Sequence, residues 1–126
     1  MANELILVVE DNAQNQKLAR DVLQVKGYRV LVAETAELGI PMALNDKPDL
    51  VLMDIHLPGM NGMEALARLR ADAATKAIPV LAFTASVMPQ DRREIMSAGF
   101  DGFLSKPINL KEFLETISAA LKGGKP

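Results

Sequence analysis

At 126 residues, with 49% hydrophobic and 24% charged side chains, the chain has the balance of one globular domain with a single core. A net charge of -2 gives no electrostatic case for nucleic acid or an anionic membrane surface, and no apolar stretch approaches the ~20 residues of a membrane span. The absence of cysteine excludes disulfides, thiolate metal sites and a cysteine nucleophile, and the lack of a secretory signal favours the cytoplasm.

Taken in chain order, strand-like and helix-like segments alternate. The first apolar run, Leu5 to Val9, leads straight into Glu10-Asp11. A helix follows in which Leu18, Val22 and Val25 share a face, with Asn12 placed to cap it and Gly27 to end it. Arg29 to Ala33 is more mixed, as suits an edge strand. The second helix, from Ala36 to Asn45, contains Pro41 too far inside for a first-turn proline, which predicts a kink or a shortened start.

Leu50 to Met53 is a third strand ending at Asp54. A Pro58-Gly59 turn precedes a helix over Met63 to Arg70. Val80 to Phe83 is a fourth strand, ending at Thr84. The next helix spans Gln90 to Ala98, with Pro89 compatible with its first turn and Gly99 at its end. Gly102 to Leu104 is a short edge strand that leads through Ser105 to Lys106-Pro107. The last helix carries the clearest stripe, Leu110, Phe113, Leu114, Ile117 and Leu121, opened by Asn109 with Glu112 as a capping-box-like pair. Residues 1–122 read as one domain and 123–126 as a frayed tail.

Five β-α units make either an open doubly wound sheet or part of a barrel, and a closed barrel needs about 250 residues. The chain is therefore α/β, with five parallel strands in the flavodoxin-like order 2-1-3-4-5. That order sets the first and third strands side by side at the switch point, where ligands bind beyond the carboxyl ends of the strands. Those two strands deliver Glu10, Asp11 and Asp54.

Carboxylates packed this closely repel one another, and burial adds a desolvation cost. A bound Mg²⁺ resolves the conflict, because it takes oxygen ligands and pairs carboxylates with phosphate oxygens. Alone, Glu10 and Asp11 could equally serve as acids at a helix N-terminus. Lys106 alone could be a surface lysine, and Thr84 a hydroxyl satisfying backbone. On one rim, the last two offer a cation and a hydrogen-bond donor to a phosphoryl oxygen. His56 is the sole histidine, so it cannot anchor a transition-metal site.

Other phosphate chemistries fail on named residues. There is no G-x-x-x-x-G-K-[ST] loop, and the turn after the first strand is Glu10-Asp11-Asn12, without the glycines a dinucleotide needs. The same acids, with no Trp and one Tyr, argue against a flavin site. An aspartate-nucleophile phosphatase would usually carry a second Asp where His56 stands.

These segments resemble the receiver domain of two-component response regulators over nearly the whole chain. The likeness is carried by Val8-Val9-Glu10-Asp11-Asn12, by Lys47 to Ile55, by Leu57-Pro58-Gly59-Met60-Asn61-Gly62, by Thr84-Ala85 and by Asp101 to Pro107. Within the family the chain looks most like single-domain receivers of the DivK or CheY kind and the receivers of hybrid kinases.

The resemblance implies that Asp54 is the phosphoacceptor, taking its phosphoryl group from a phosphohistidine on a histidine kinase or histidine phosphotransfer protein. It implies Mg²⁺ (with Mn²⁺ as a substitute) on Asp11, Asp54 and the backbone carbonyl of His56, with Glu10 bound through a metal water. Lys106, the Thr84 hydroxyl and the Ala85 backbone N–H would contact the phosphoryl group. Thr84 and the aromatic at position 103 would form the switch; here that residue is Phe103, which packs but has no O–H to donate. His56 and Ser86 would flank the water of dephosphorylation, and the Lys106–Pro107 bond would be cis. A downstream partner would dock on the face of the fourth helix, last strand and fifth helix, with Met88 and Met96 as adaptable contacts. Such a protein is a signalling phosphoacceptor in a phosphorelay, assisting only its own phosphorylation and dephosphorylation. A Mg²⁺-dependent phosphohydrolase on the same fold, with Asp54 as nucleophile, is the alternative.

Overall fold

In the computed structural model, which describes residues 3–85, 89–106 and 108–122, each apolar run forms a strand and each amphipathic stretch a helix. The elements are β1 (Leu5–Val9), α1 (Ala13–Val25), β2 (Arg29–Ala33), α2 (Ala36–Asp46) and β3 (Leu50–Asp54). They continue with α3 (Gly62–Ala71), β4 (Val80–Thr84), α4 (Pro89–Ser97), β5 (Gly102–Ser105) and α5 (Leu110–Leu121). The strands form one parallel sheet in the order β2-β1-β3-β4-β5, the expected topology, with the mixed runs at its edges. The frayed-tail residues 123–126 lie outside the described residues, as do Ser86, Met88 and Pro107. Among the described residues, no helix is long and apolar enough to cross a membrane.

Side chains alternate across a strand, and the sheet sorts them into two cores. Leu7, Val9, Val51, Met53, Val80 and Ala82 pack with α2, α3 and α4 residues such as Ala43, Leu66 and Ile95. Ile6, Val8, Leu50, Leu52, Leu81 and Phe83 pack with Leu23 of α1 and Phe113 and Ile117 of α5. Central strands β1, β3 and β4 are covered on both sides, which is why their sequences read as unbroken apolar runs.

Local signals end the helices as the sequence indicates. Asn12 caps α1, its side chain accepting from the Asn15 N–H, and the helix closes with Tyr28 N–H on Leu23 O and Gly27 N–H on Gln24 O. Gly27 has a φ of 90°, open to glycine at little cost. Three details differ from expectation. The buried face of α1 is Ala19 and Leu23, whereas Leu18 is 45% and Val25 84% exposed. The small Ala19 lets the helix settle on the sheet with the larger stripe turned to its flank. Helix α2 begins at Ala36 without a shortened start and runs through Pro41, whose position is exposed. A full capping box forms at Asn61 and Glu64 of α3, while Asn109 makes only the half in which its side chain accepts from the Glu112 N–H.

The start of β5 is set by Asp101, which ties it to β4. Its Oδ2 accepts from the Val80 N–H at 2.8 Å and from Arg70 Nη2 at 2.7 Å, while its own N–H donates to Val80 O. Arg70 also donates to the carbonyls of Lys76, Ile78 and Gly99, stitching α3 to both neighbouring loops. Replacing Asp101 by Ala leaves the Val80 N–H without its acceptor. We expect a loss of about 1–3 kcal/mol in urea unfolding, and a smaller loss for Asp101→Asn, which keeps an oxygen acceptor. Equal losses for the two variants would assign the effect to the ion pair alone.

Candidate functional site

Three strands end one residue later than the apolar runs suggest, and their last residues are Asp54, Thr84 and Ser105. Val8 pairs with Leu52, Asp54 with Phe83, and Thr84 with Ser105, so the carboxyl ends of β1, β3, β4 and β5 form one rim. Alternation carries the α1/α5 side of the sheet from Val8 to Glu10, from Leu52 to Asp54 and from Leu104 to Lys106. The same alternation puts Thr84 on the α4 side with Ala82.

Glu10, Asp54 and Thr84 are buried, an unusual set of polar groups for the interior. The Lys106 ammonium binds two of them together: Nζ lies 2.5 Å from Glu10 Oε1 and 3.0 Å from Asp54 Oδ2. It also stands 4.9 Å from the centroid of the Phe83 ring, a cation–π contact that no local sequence pattern announces. The other oxygen of Asp54 accepts from the His56 N–H at 3.0 Å. The Lys106 N–H donates to Thr84 O at 2.9 Å, so the lysine is fixed to β4 through its backbone as well.

The rim itself is braced from below. Gln16 Nε2 donates to Glu10 O at 2.6 Å, and the Asn12 N–H to Glu10 Oε2 at 2.9 Å. The helix cap is thus Asn12, and Glu10 turns back over the sheet. Gly62 opens α3 directly against the end of β3: a Cβ there would lie 2.5 Å from Asp54 O. Glu37 of α2 accepts from the Met60 N–H at 3.1 Å, holding the loop that follows Asp54. That N–H holds the Glu37 carboxyl below its usual pKa. Gly62 was visible in the sequence only as part of a motif; neither Gln16 nor Glu37 had a signal, because each bonds a backbone group, which carries no side-chain pattern.

Asp11 is exposed at the mouth of the rim, where one carboxylate oxygen each from Glu10, Asp11 and Asp54 lies within 4.8 Å of the others. Three carboxylates against one ammonium leave an excess of negative charge. An all-oxygen set of three carboxylates that one ammonium does not neutralise fits a hard divalent cation. Ala85 follows Thr84 on the rim, exposed, and Phe103 lies half-buried on the α4 side. A groove of about 880 Å³ along α5, lined by Tyr28, Leu114 and Lys122 among others, lies elsewhere.

The family model for the response regulator receiver domain matches residues 6–118. The chain belongs to this family. The receiver is 38% identical over 116 residues to the polar-differentiation response regulator DivK of Brucella anthropi, an alignment covering 92% of this chain and 94% of that one. Its fold matches the receiver domain of the sensor histidine kinase PA1611 from Pseudomonas aeruginosa with a TM-score of 0.86 at 32% identity, covering 96% and 98% of the two chains. That structure has a magnesium ion coordinated in its active-site cleft. The chemotaxis protein CheY4 of Vibrio cholerae also matches, with a TM-score of 0.86 at 27% identity over 92% and 97%. These relatives are signalling receivers, and they lend no support to the phosphohydrolase alternative.

Burial raises the Glu10 pKa above its ordinary 4.5, opposed by Lys106 and the Asn12 N–H and reinforced by Asp54. Burial alone would lower the Lys106 pKa, but its bonds to Glu10 and Asp54 outweigh that and raise it above 10.5. For Glu10 the folded state binds protons that the unfolded chain has released. Its stabilising contribution is therefore complete below pH 4.5 and is lost as pH rises through the folded value. In metal-free buffer, Glu10→Gln should gain stability relative to the parent as pH climbs from 4.5 toward neutrality. Urea unfolding at a series of pH values measures this, and a constant difference across the window would contradict it.

Proposed function

We propose that this receiver accepts a phosphoryl group on Asp54 from a phosphohistidine of a histidine kinase or histidine phosphotransfer protein. The observation that carries this reading is the Lys106 ammonium seated on Asp54 Oδ2 beside the buried Glu10. An isolated carboxylate so placed would be protonated or paired for stability alone. Here the acid lies at the switch point of an open sheet, oriented through both oxygens, with further acids at the mouth.

In the reaction, an Asp54 carboxylate oxygen attacks phosphorus as the P–N bond to the imidazole breaks, and the imidazole keeps the electron pair. Phosphoryl transfer passes through a loose transition state, so the protein's task is positioning and charge neutralisation. The His56 N–H and Lys106 hold the nucleophile in place, and Lys106 then serves the oxygens of the incoming group. The Ala85 N–H and the Thr84 hydroxyl complete the contacts from the β4 side. Asp11, Asp54 and the His56 carbonyl would hold Mg²⁺, or Mn²⁺ in its place, with Glu10 reaching it through water. When bound, the ion supplies the positive charge that lets a phosphoryl dianion approach three carboxylates.

The aspartyl phosphate is a local charge event that biases a two-state element. That element is Thr84 with Phe103, and its output face is α4, β5 and α5, where Met96 is 48% exposed. A partner protein docked there reads the state, or the phosphoryl group passes on to another histidine.

Two outcomes test this reading. Asp54→Asn should abolish labelling by phosphoramidate in Mg²⁺, seen by intact-mass spectrometry; undiminished labelling moves the acceptor elsewhere. Mg²⁺ at ~100 times its Kd should stabilise the protein by about 2.7 kcal/mol in thermal unfolding, and Asp11→Ala should remove most of that gain. A gain that survives Asp11→Ala would place the ion at another site.

A further inference from the structure

Phe103 lacks the hydroxyl through which a tyrosine would fix its position, yet the ring does not stand alone. The Arg92 guanidinium on α4 lies over it, with Cζ 4.9 Å from the ring centroid. Arg92 is exposed and makes no ion pair among the described residues. Phe103 is half-buried and packs against the core on the α2/α3/α4 side of the sheet. Its strand partner is Ala82, two residues before Thr84 on the same face of β4. The ring thus stands between a cation on its outer side and the Thr84 side of the rim.

We propose that Arg92 is the positioning residue of the switch, a cation–π latch that holds Phe103 against α4 until phosphorylation draws the ring toward Thr84. The inference rests on the switch assigned above to Thr84 and Phe103, and it supplies the regulation that a tyrosine hydroxyl cannot give here. Arg suits the role because its planar, weakly hydrated guanidinium stacks on a ring while remaining at the surface. The aromatic face attracts the cation electrostatically, and inward rotation of the ring gives up that attraction. Releasing the latch also frees a cation on α4 at the moment the partner face changes.

At an exposed site such a contact biases the ring's equilibrium by about two- to five-fold. Arg92→Ala should therefore raise the phosphoramidate labelling rate of the full chain by about that factor, and Arg92→Lys should restore part of the bias. In a Phe103→Leu background, Arg92→Ala should change the rate little, because no ring remains to be held. With ring-¹³C phenylalanine, NMR should show the Phe103 resonances shift on Arg92→Ala and return toward the parent values with Lys. A rate change that persists undiminished in the Phe103→Leu background, or ring resonances indifferent to Arg92, would overturn the latch. The NMR measurement needs no phosphorylation, so a parent protein that fails to label Asp54 refutes the receiver chemistry while the ring data still decide the latch.

Discussion

One ammonium between two buried carboxylates is the contact on which the rest of the molecule converges. Lys106 reaches Glu10 at the end of β1 and Asp54 at the end of β3, so residues far apart in sequence close a single electrostatic unit. Buried carboxylates without a partner are costly, and pairing only partly offsets their desolvation. The raised Glu10 pKa records the part that remains. The carboxyl rim of the sheet therefore carries an excess of negative charge, which the proposed divalent cation would relieve.

Keeping that unit in place is a task spread over backbone contacts rather than over the charges themselves. Gly62 lets α3 approach the Asp54 carbonyl, where any side chain would collide. Glu37 and the Met60 N–H fix the loop behind Asp54, and Gln16 fixes the Glu10 carbonyl. On the far side, Asp101 sets where β5 begins and so how far along the rim Lys106 emerges. Each brace acts on main-chain groups, which tolerate little displacement, so the charged side chains inherit a defined spacing.

The two faces of the sheet divide the labour. Glu10, Asp54 and Lys106 continue the α1/α5 face, while Thr84 and Phe103 belong to the face covered by α4. The charged side chains are thus gathered on one side of the sheet, and the two residues of the proposed switch on the other. The Lys106 N–H, bonded to Thr84 O, ties the two residues together through one backbone hydrogen bond.

The residue string by itself determined the fold and most of the rim. Unbroken apolar runs mark strands covered on both faces, and the short connections leave only an open parallel sheet, so Glu10, Asp11, Asp54, Thr84 and Lys106 had to gather at one edge. Periodicity, however, tells which residues share a helix face and not which face the sheet accepts. Only packing decided that Ala19 and Leu23 turn inward on α1 while Leu18 and Val25 remain exposed. Packing likewise carried α2 through the exposed Pro41. The Phe83 and Arg92 contacts and the braces from Gln16, Gly62 and Glu37 lie between different elements and the loops that join them. Such contacts depend on strand register and close backbone approach, and no local pattern encodes either.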